Sequence, residues 1–155
     1  MRTSSHRARA IVAALAASLA LATAIGPVAA AQPKPRQVTI VSDMTVPGNP
    51  NYGSFTASGS PLICRSGLVL DTRLVMLRGS FETDYVLTVD KTFTCSESNT
   101  FFARLLVHGN GGVETFTWAI LGGTGKYHGL FGLGSGSTVP IEGGVTNTYT
   151  GYLFP

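Results

Sequence analysis

Apolar and polar side chains alternate along most of the chain beyond its N-terminal segment, with the period of a half-buried β-strand. The clearest run is residues 84–94, where Tyr85, Leu87, Val89 and Lys91 share a face. Turns rich in Gly, Pro or Asn separate the runs, and no helical period of useful length follows the N-terminal segment. The pattern predicts strands at 37–45, 54–60, 68–78, 84–94, 100–108, 113–121, 129–137 and 145–154.

Short strands in one small domain fit either a β-barrel or a β-sandwich. The long strands lack the prolines and inward charges that protect open sheet edges, and closure removes such edges altogether. We therefore predict an all-β fold, a single antiparallel, eight-stranded β-barrel, with a β-sandwich as the alternative. Strict alternation places Asp71 and Arg73 on one face, close enough to form ion pairs with charged residues of a neighbouring strand.

The segment 122–136 contains seven glycines, too many for a helix. We expect a tight turn at 122–126 with positive φ angles, and Tyr127 filling an apolar gap after it. The strand that follows has one face without side chains, and we expect neighbouring parts of the protein to pack closely against that face. A phosphate-binding P-loop is excluded, because Tyr127 follows Gly125-Lys126 where that motif requires Ser or Thr. The glycines are therefore interpreted as architectural.

The first 31 residues have the organisation of a signal peptide. A basic start is followed by an apolar run at 10–25, and small residues suit cleavage after Ala30 or Ala31. The predicted domains are a signal peptide at 1–31, a flexible tether at 32–36 and a β-barrel at 37–155. We expect a secreted protein without a stable membrane anchor, since the apolar run is short for a membrane span.

Removal of the signal peptide changes the charge balance. Arg2, Arg7 and Arg9 leave with it, so that eight basic residues remain against eight acidic ones. No cluster of Lys and Arg is left, and we expect no nucleic-acid partner.

The two cysteines, Cys64 and Cys95, are predicted to form a disulfide in an oxidising compartment. Neither has another Cys or a His two to four residues away. Together with the distant positions of His108 and His128, this gives no support for a metal site. No cofactor is expected.

The glycine-rich segment carries a family resemblance. Its sequence, Gly-Gly-Thr-Gly-Lys-Tyr-His-Gly-Leu-Phe-Gly-Leu-Gly-Ser-Gly, resembles a signature of the allene oxide cyclase and dirigent barrel superfamily, in which a Gly-Thr-Gly-x-[Tyr/Phe] turn precedes a Gly-rich strand. The strands at 118–121 and 148–152 look like late strands of that family. The chain is also similar to small exported actinobacterial proteins with Cys-x-Ser-Gly and Phe-Thr-Cys motifs, here at 64–67 and 93–95.

The resemblance implies an eight-stranded barrel with a mostly apolar lumen. The enzymatic members of the superfamily cyclise or guide reactive organic intermediates without cofactors. The resemblance supplies no active-site residues for this chain, because the glycine turn is architectural in that family.

Glu114 and Arg104 are the candidate catalytic residues, since both lie on strands among large apolar side chains. An inward Glu114 would lose solvation and act as a general acid unless Arg104 pairs with it. The candidate ligand-binding residues are aromatic side chains of the late strands and the glycine turn, namely Phe116, Trp118, Tyr127 and Tyr149.

Three functions remain open from the sequence. The first is an exported barrel that binds a small apolar or aromatic ligand, because its strands are apolar and carry few ionisable groups. The second is a cofactor-independent cyclase or dirigent-like enzyme that uses Glu114 and Arg104. The third is a structural or interaction protein that forms oligomers through its strand faces.

Overall fold

The computed structural model describes residues 34–47, 50–96, 98–110 and 114–155. The predicted signal peptide and the first residues of the predicted tether lie outside this part of the chain, as do residues 111–113. The strands are β1 (Arg36–Thr45), β2 (Tyr52–Ser58), β3 (Ser66–Gly79), β4 (Asp84–Ser96), β5 (Asn99–Asn110), β6 (Glu114–Gly123), β7 (Phe131–Ile141) and β8 (Gly144–Phe154).

Each strand pairs antiparallel with the next, and β1 pairs with β8 to close the sheet. The prediction of a closed, eight-stranded antiparallel barrel is therefore confirmed, and the sandwich alternative is wrong. A barrel of this size has an interior just wide enough for side chains or one small ligand.

The two ends of the barrel are built differently. The connections after β1, β3, β5 and β7 lie at one end, which we call the mouth end. The connections after β2, β4 and β6 lie at the other, which we call the packed end. Ile63 and Tyr127 are buried at the packed end, and Tyr127 belongs to a single 3-10 turn, Gly125–Tyr127.

The glycine-rich β7 packs as expected. A Cβ atom on Gly136 would fall on the Phe116 ring, and one on Gly134 would lie 2.8 Å from the Trp118 ring. The bare face thus admits two large side chains from β6. Gly125, in the preceding turn, has a φ of 57°, the left-handed conformation that the sequence predicts there.

Aromatic rings fill the lumen towards the packed end. Phe93 and Phe101 stack with centroids 4.7 Å apart, and Phe55 meets both rings edge-on. Tyr149 contacts Phe93, Phe116 and Trp118. Where these rings meet, the lumen is packed like the interior of a globular core.

The predicted disulfide between Cys64 and Cys95 is present. It joins the β2–β3 loop to β4 beside Tyr127, whose hydroxyl accepts a hydrogen bond from the Cys64 amide and donates one to Cys95 Sγ. The disulfide and Tyr127 together fix the packed end.

The predicted shared face of Asp71 and Arg73 is wrong. The register of β3 against β4 shifts between these residues, so that Asp71 lies opposite Lys91 and Arg73 lies opposite Asp90. Thr72 is the extra residue of a β-bulge, which reverses the alternation after it. Asp71 consequently faces the lumen, whereas Arg73 is exposed on the outer surface.

The last hairpin is also longer than predicted. The sequence predicts a strand that ends at 137, but β7 continues to Ile141, and Pro140 lies in it opposite Val145. The β6 ladder ends where Glu114 meets Thr138, so from that point β7 pairs with β8 alone. A proline at such an edge position leaves no required donor unpaired.

Candidate functional site

The lumen is hollow towards the mouth end. An inner cavity of about 290 Å³ lies there, and most of the inward residues that surround it are aliphatic. Its apolar walls come from several strands and from the β1–β2 and β3–β4 connections. They are formed by Met44, Val46, Pro47, Leu74, Phe81, Leu87, Val89, Leu105, Val107 and Val145.

Lys91 lies in this cavity as a buried ammonium, only 5% exposed. Its Nζ donates to Asp71 Oδ1 at 2.5 Å and lies 3.4 Å from Met44 Sδ. Asn51 Nδ2 donates to the other oxygen of Asp71 at 3.1 Å. An ammonium carries three donors. The third N–H of Lys91 has no hydrogen-bond partner among the described residues.

A second polar group on the cavity wall is Asn147, also 5% exposed. Its Oδ1 accepts a hydrogen bond of 2.8 Å from Thr138, and its Nδ2 donates to Ser42 at 3.4 Å. One N–H of this amide therefore remains unpaired within the described part of the chain. Lys91 and Asn147 both offer a donor to an oxygen atom in the cavity.

The Tyr149 hydroxyl is buried without a hydrogen-bond partner among the described residues. The Ser42 hydroxyl lies near it but does not reach hydrogen-bond geometry. Burial raises the pKa of Tyr149, and the charge of Asp71 adds to the rise, while Ser42 opposes it. Tyr149 thus stays a neutral phenol.

A second space, the mouth chamber, has a volume of about 400 Å³ and adjoins the inner cavity. Phe81, Glu114, Thr138 and Val145 line both spaces. The Tyr85 hydroxyl donates a hydrogen bond to Glu114 Oε1. Burial raises the pKa of Tyr85, and the hydrogen bond to Glu114 and the charge of that carboxylate raise it further.

The structure does not bring Glu114 and Arg104 together. Arg104 lies on the outer surface, where its Nε and Nη2 donate to the Asp90 carboxylate at 2.6 and 3.0 Å. These hydrogen bonds hold the pKa of Asp90 below its ordinary value. Alternation explains the separation, because Arg104 shares the face of Phe102 and Leu106, which point away from the lumen.

The four aromatic residues predicted to bind a ligand are all buried, and Phe116 and Trp118 lie opposite the cavity-lining Val107 and Leu105. None of Phe116, Trp118, Tyr127 and Tyr149 is among the residues that line the inner cavity. Trp118 Nε1 donates to the Ser135 carbonyl at 3.1 Å, so its polar group is already paired.

Sequence reasoning missed Lys91, Asp71 and Asn147 as site residues. Lys91 interrupts an otherwise apolar face of β4, and this signal was available from the sequence. Asp71 could not be found in this way, because its direction depends on the bulge at Thr72. Asn147 is ordinary in a Thr-rich strand until its burial is known.

His108 and His128 are exposed and lie on different elements. Among the described residues, no three His, Cys, Asp or Glu side chains are placed to hold a metal ion. Within the same part of the chain, no helix has the length and apolar character needed to cross a membrane.

Fold and site define this protein as a small antiparallel β-barrel whose lumen is half filled and half hollow. Comparison with known proteins found no matching family model, and no significant match to a curated protein or to a solved structure.

Proposed function

We propose that the barrel binds a small, largely apolar molecule in the inner cavity, with an oxygen acceptor at its deep end. The observation that carries the proposal is a hollow, apolar-walled lumen with the buried donors of Lys91 and Asn147 in its wall. Binding sites typically combine such walls with a few convergent polar groups. At about 30 Å³ per water-sized group, the cavity admits a ligand of roughly ten non-hydrogen atoms.

Binding is favoured over the cyclase alternative by the placement of Arg104. The enzyme hypothesis requires Glu114 and Arg104 to act together, but Arg104 is engaged by Asp90 on the outer surface. The buried donors of Lys91 and Asn147 in the cavity wall support binding instead.

Kinship with the allene oxide cyclase and dirigent superfamily, and export from the cell, are parts of the same proposal. The closed antiparallel barrel and the glycine-rich β7 support the kinship. The leader-like sequence at 1–31 and the Cys64–Cys95 disulfide support export, because disulfides persist in oxidising compartments.

Acetophenone is a suitable first probe, since it is neutral, has an apolar ring and carries one carbonyl acceptor. Titration followed by NMR should shift the side-chain amide of Asn147 and the methyl groups of Val89 and Leu105, and calorimetry should give the affinity. Val89→Phe, which places a ring in the cavity, should weaken binding at least about tenfold. Thr88→Val, on the outer face of the same strand, is the control.

A second variant tests the deep acceptor. Asp71→Asn combined with Lys91→Met removes the donor without leaving an unpaired charge. It should weaken acetophenone while sparing ethylbenzene, which has no oxygen. Shifts that are absent at millimolar acetophenone, or that persist unchanged in Val89→Phe, would show that the inner cavity is not a binding site.

A further inference from the structure

The mouth chamber is lined by two aromatic rings and two carboxylates, and no basic side chain is among its lining residues. Phe81 and Tyr85 meet edge-on, with centroids 5.1 Å apart. Glu82 and Glu114 are the carboxylates. Aromatic faces carry negative electrostatic potential and attract cations, most strongly where water is excluded.

Glu114 has capacity to accept another hydrogen bond. Tyr85 occupies one carboxylate oxygen, and a carboxylate offers about four acceptor positions. Because Glu114 is partly buried, its charge is screened less than that of an exposed residue. It lines both spaces, so a ligand in the inner cavity would end beside it.

No described basic residue neutralises this charge. Lys91 is already paired with Asp71, so the inner cavity with Glu114 included has a net charge of −1. Arg104 is held by Asp90 on the outer surface. Arg73 and Arg78, the described arginines of β3, lie opposite the outward residues Asp90 and Val86.

We infer that the mouth chamber binds the positively charged group of an organic cation, such as a primary ammonium, whose apolar body occupies the inner cavity. This inference rests on the proposed function and names its ligand class. The ammonium is placed against Glu114 and the rings of Phe81 and Tyr85. A carboxylate in the same position would be repelled by the two glutamates.

Three indoles with one skeleton test the inference: tryptamine, tryptophol and indole-3-acetate, which carry an ammonium, a hydroxyl and a carboxylate. Calorimetry at low ionic strength should rank them in that order, with tryptamine at least about fivefold tighter than tryptophol. The advantage of tryptamine should shrink as salt is added.

Glu114→Gln should bring tryptamine to the affinity of tryptophol and leave tryptophol unchanged. Glu142→Gln is the matched control, since Glu142 is exposed in the β7–β8 turn at the same end and does not line the chamber. Phe81→Leu should weaken tryptamine more than tryptophol.

The outcomes separate the two proposals. If tryptophol and acetophenone bind but tryptamine has no advantage, or if Glu114→Gln behaves like Glu142→Gln, the cation inference is wrong and the lumen site stands. If acetophenone and all three indoles fail to bind, both proposals are wrong.

Discussion

Lys91 and Asp71 form an ion pair within the lumen, with side-chain exposures of 5% and 12%. Both charges are therefore much less solvated than the charges of a surface ion pair. Such a pair contributes little net stability, but removal of one partner leaves the other charge buried and uncompensated. The pair is therefore best understood as a feature of the cavity.

Asp71→Asn is expected to lower the free energy of unfolding by about 3 kcal/mol, because the Lys91 ammonium loses its counter-charge. Denaturant unfolding measures the loss. The double variant Asp71→Asn/Lys91→Met should recover most of it.

Asp90→Asn provides the control. Asp90 pairs with the half-exposed Arg104 across the β4–β5 ladder, next to the β3–β4 ladder that contains Asp71 and Lys91. Its effect should stay within about 1 kcal/mol. Equal losses from Asp71→Asn and Asp90→Asn would show that the lumen pair is as well solvated as the surface pair.

Tyr149→Phe is expected to increase stability by about 1 kcal/mol, because it removes a buried hydroxyl that has no hydrogen-bond partner. It should also change the response to alkali. Burial raises the pKa of Tyr149 in the folded state, whereas the unfolded phenol titrates near its ordinary value of about 10. Above that pH the unfolded chain binds fewer protons, so stability falls as pH rises.

In the wild type, Tyr149 should contribute a decline of about 1 kcal/mol per pH unit above pH 10, with Tyr85 adding in the same direction. Unfolding measured between about pH 10 and 12 should show a shallower decline in Tyr149→Phe. Identical slopes in the two proteins would contradict the buried, neutral phenol.

Among the elements, β7 depends most on residues that have no side chain. Gly136→Ala should destabilise the barrel by about 2 kcal/mol, because the new methyl group meets the Phe116 ring and neighbouring backbone. Ser137→Ala, on the exposed face of the same strand, should change little. Denaturant unfolding of both variants distinguishes a packing requirement from a general intolerance of substitution in β7.

Strand positions were predictable from alternation because most strands bury one face and expose the other. β5 shows this fully. Its inward residues are Phe101, Ala103, Leu105 and Val107, and its outward residues are Phe102, Arg104, Leu106 and His108. Bulges were not predictable, since the extra residue Thr72 is ordinary in a regular strand. This single residue decides whether Asp71 lies in the lumen or on the surface.

The site was harder to predict than the fold. Glu114 was identified because it sits at the start of an aromatic face, and the structure places it at the cavity. The hollow itself depends on the volumes of inward residues from several strands, a property that no single stretch of sequence displays. Residues of the packed and hollow halves alternate in the same way and differ only in size.

For the whole molecule, closure brings the start of the first strand beside the end of the last. Arg36 lies opposite Leu153 across the β1–β8 ladder. A circular permutant that joins Phe154 to Arg36 through about four flexible residues, and opens between Glu142 and Gly143, should therefore fold to the same barrel. Circular dichroism and denaturant unfolding measure this outcome.

A permutant opened between Leu105 and Leu106, within the β4–β5–β6 ladders, should not fold and serves as the control. If the first permutant does not fold, even with a longer linker, then the start of β1 and the end of β8 are not neighbours.

The pairing of the first strand with the last also determines when the barrel can close during synthesis. Every other ladder joins strands that are adjacent in sequence, so hairpins can assemble as the polypeptide emerges. The β1 edge, however, must wait for Gly144–Phe154, across a separation of about a hundred residues in pairs such as Ser42 with Asn147. Until then the nascent sheet has two unpaired edges, and the enclosed lumen that Ser42 and Asn147 help to form does not yet exist.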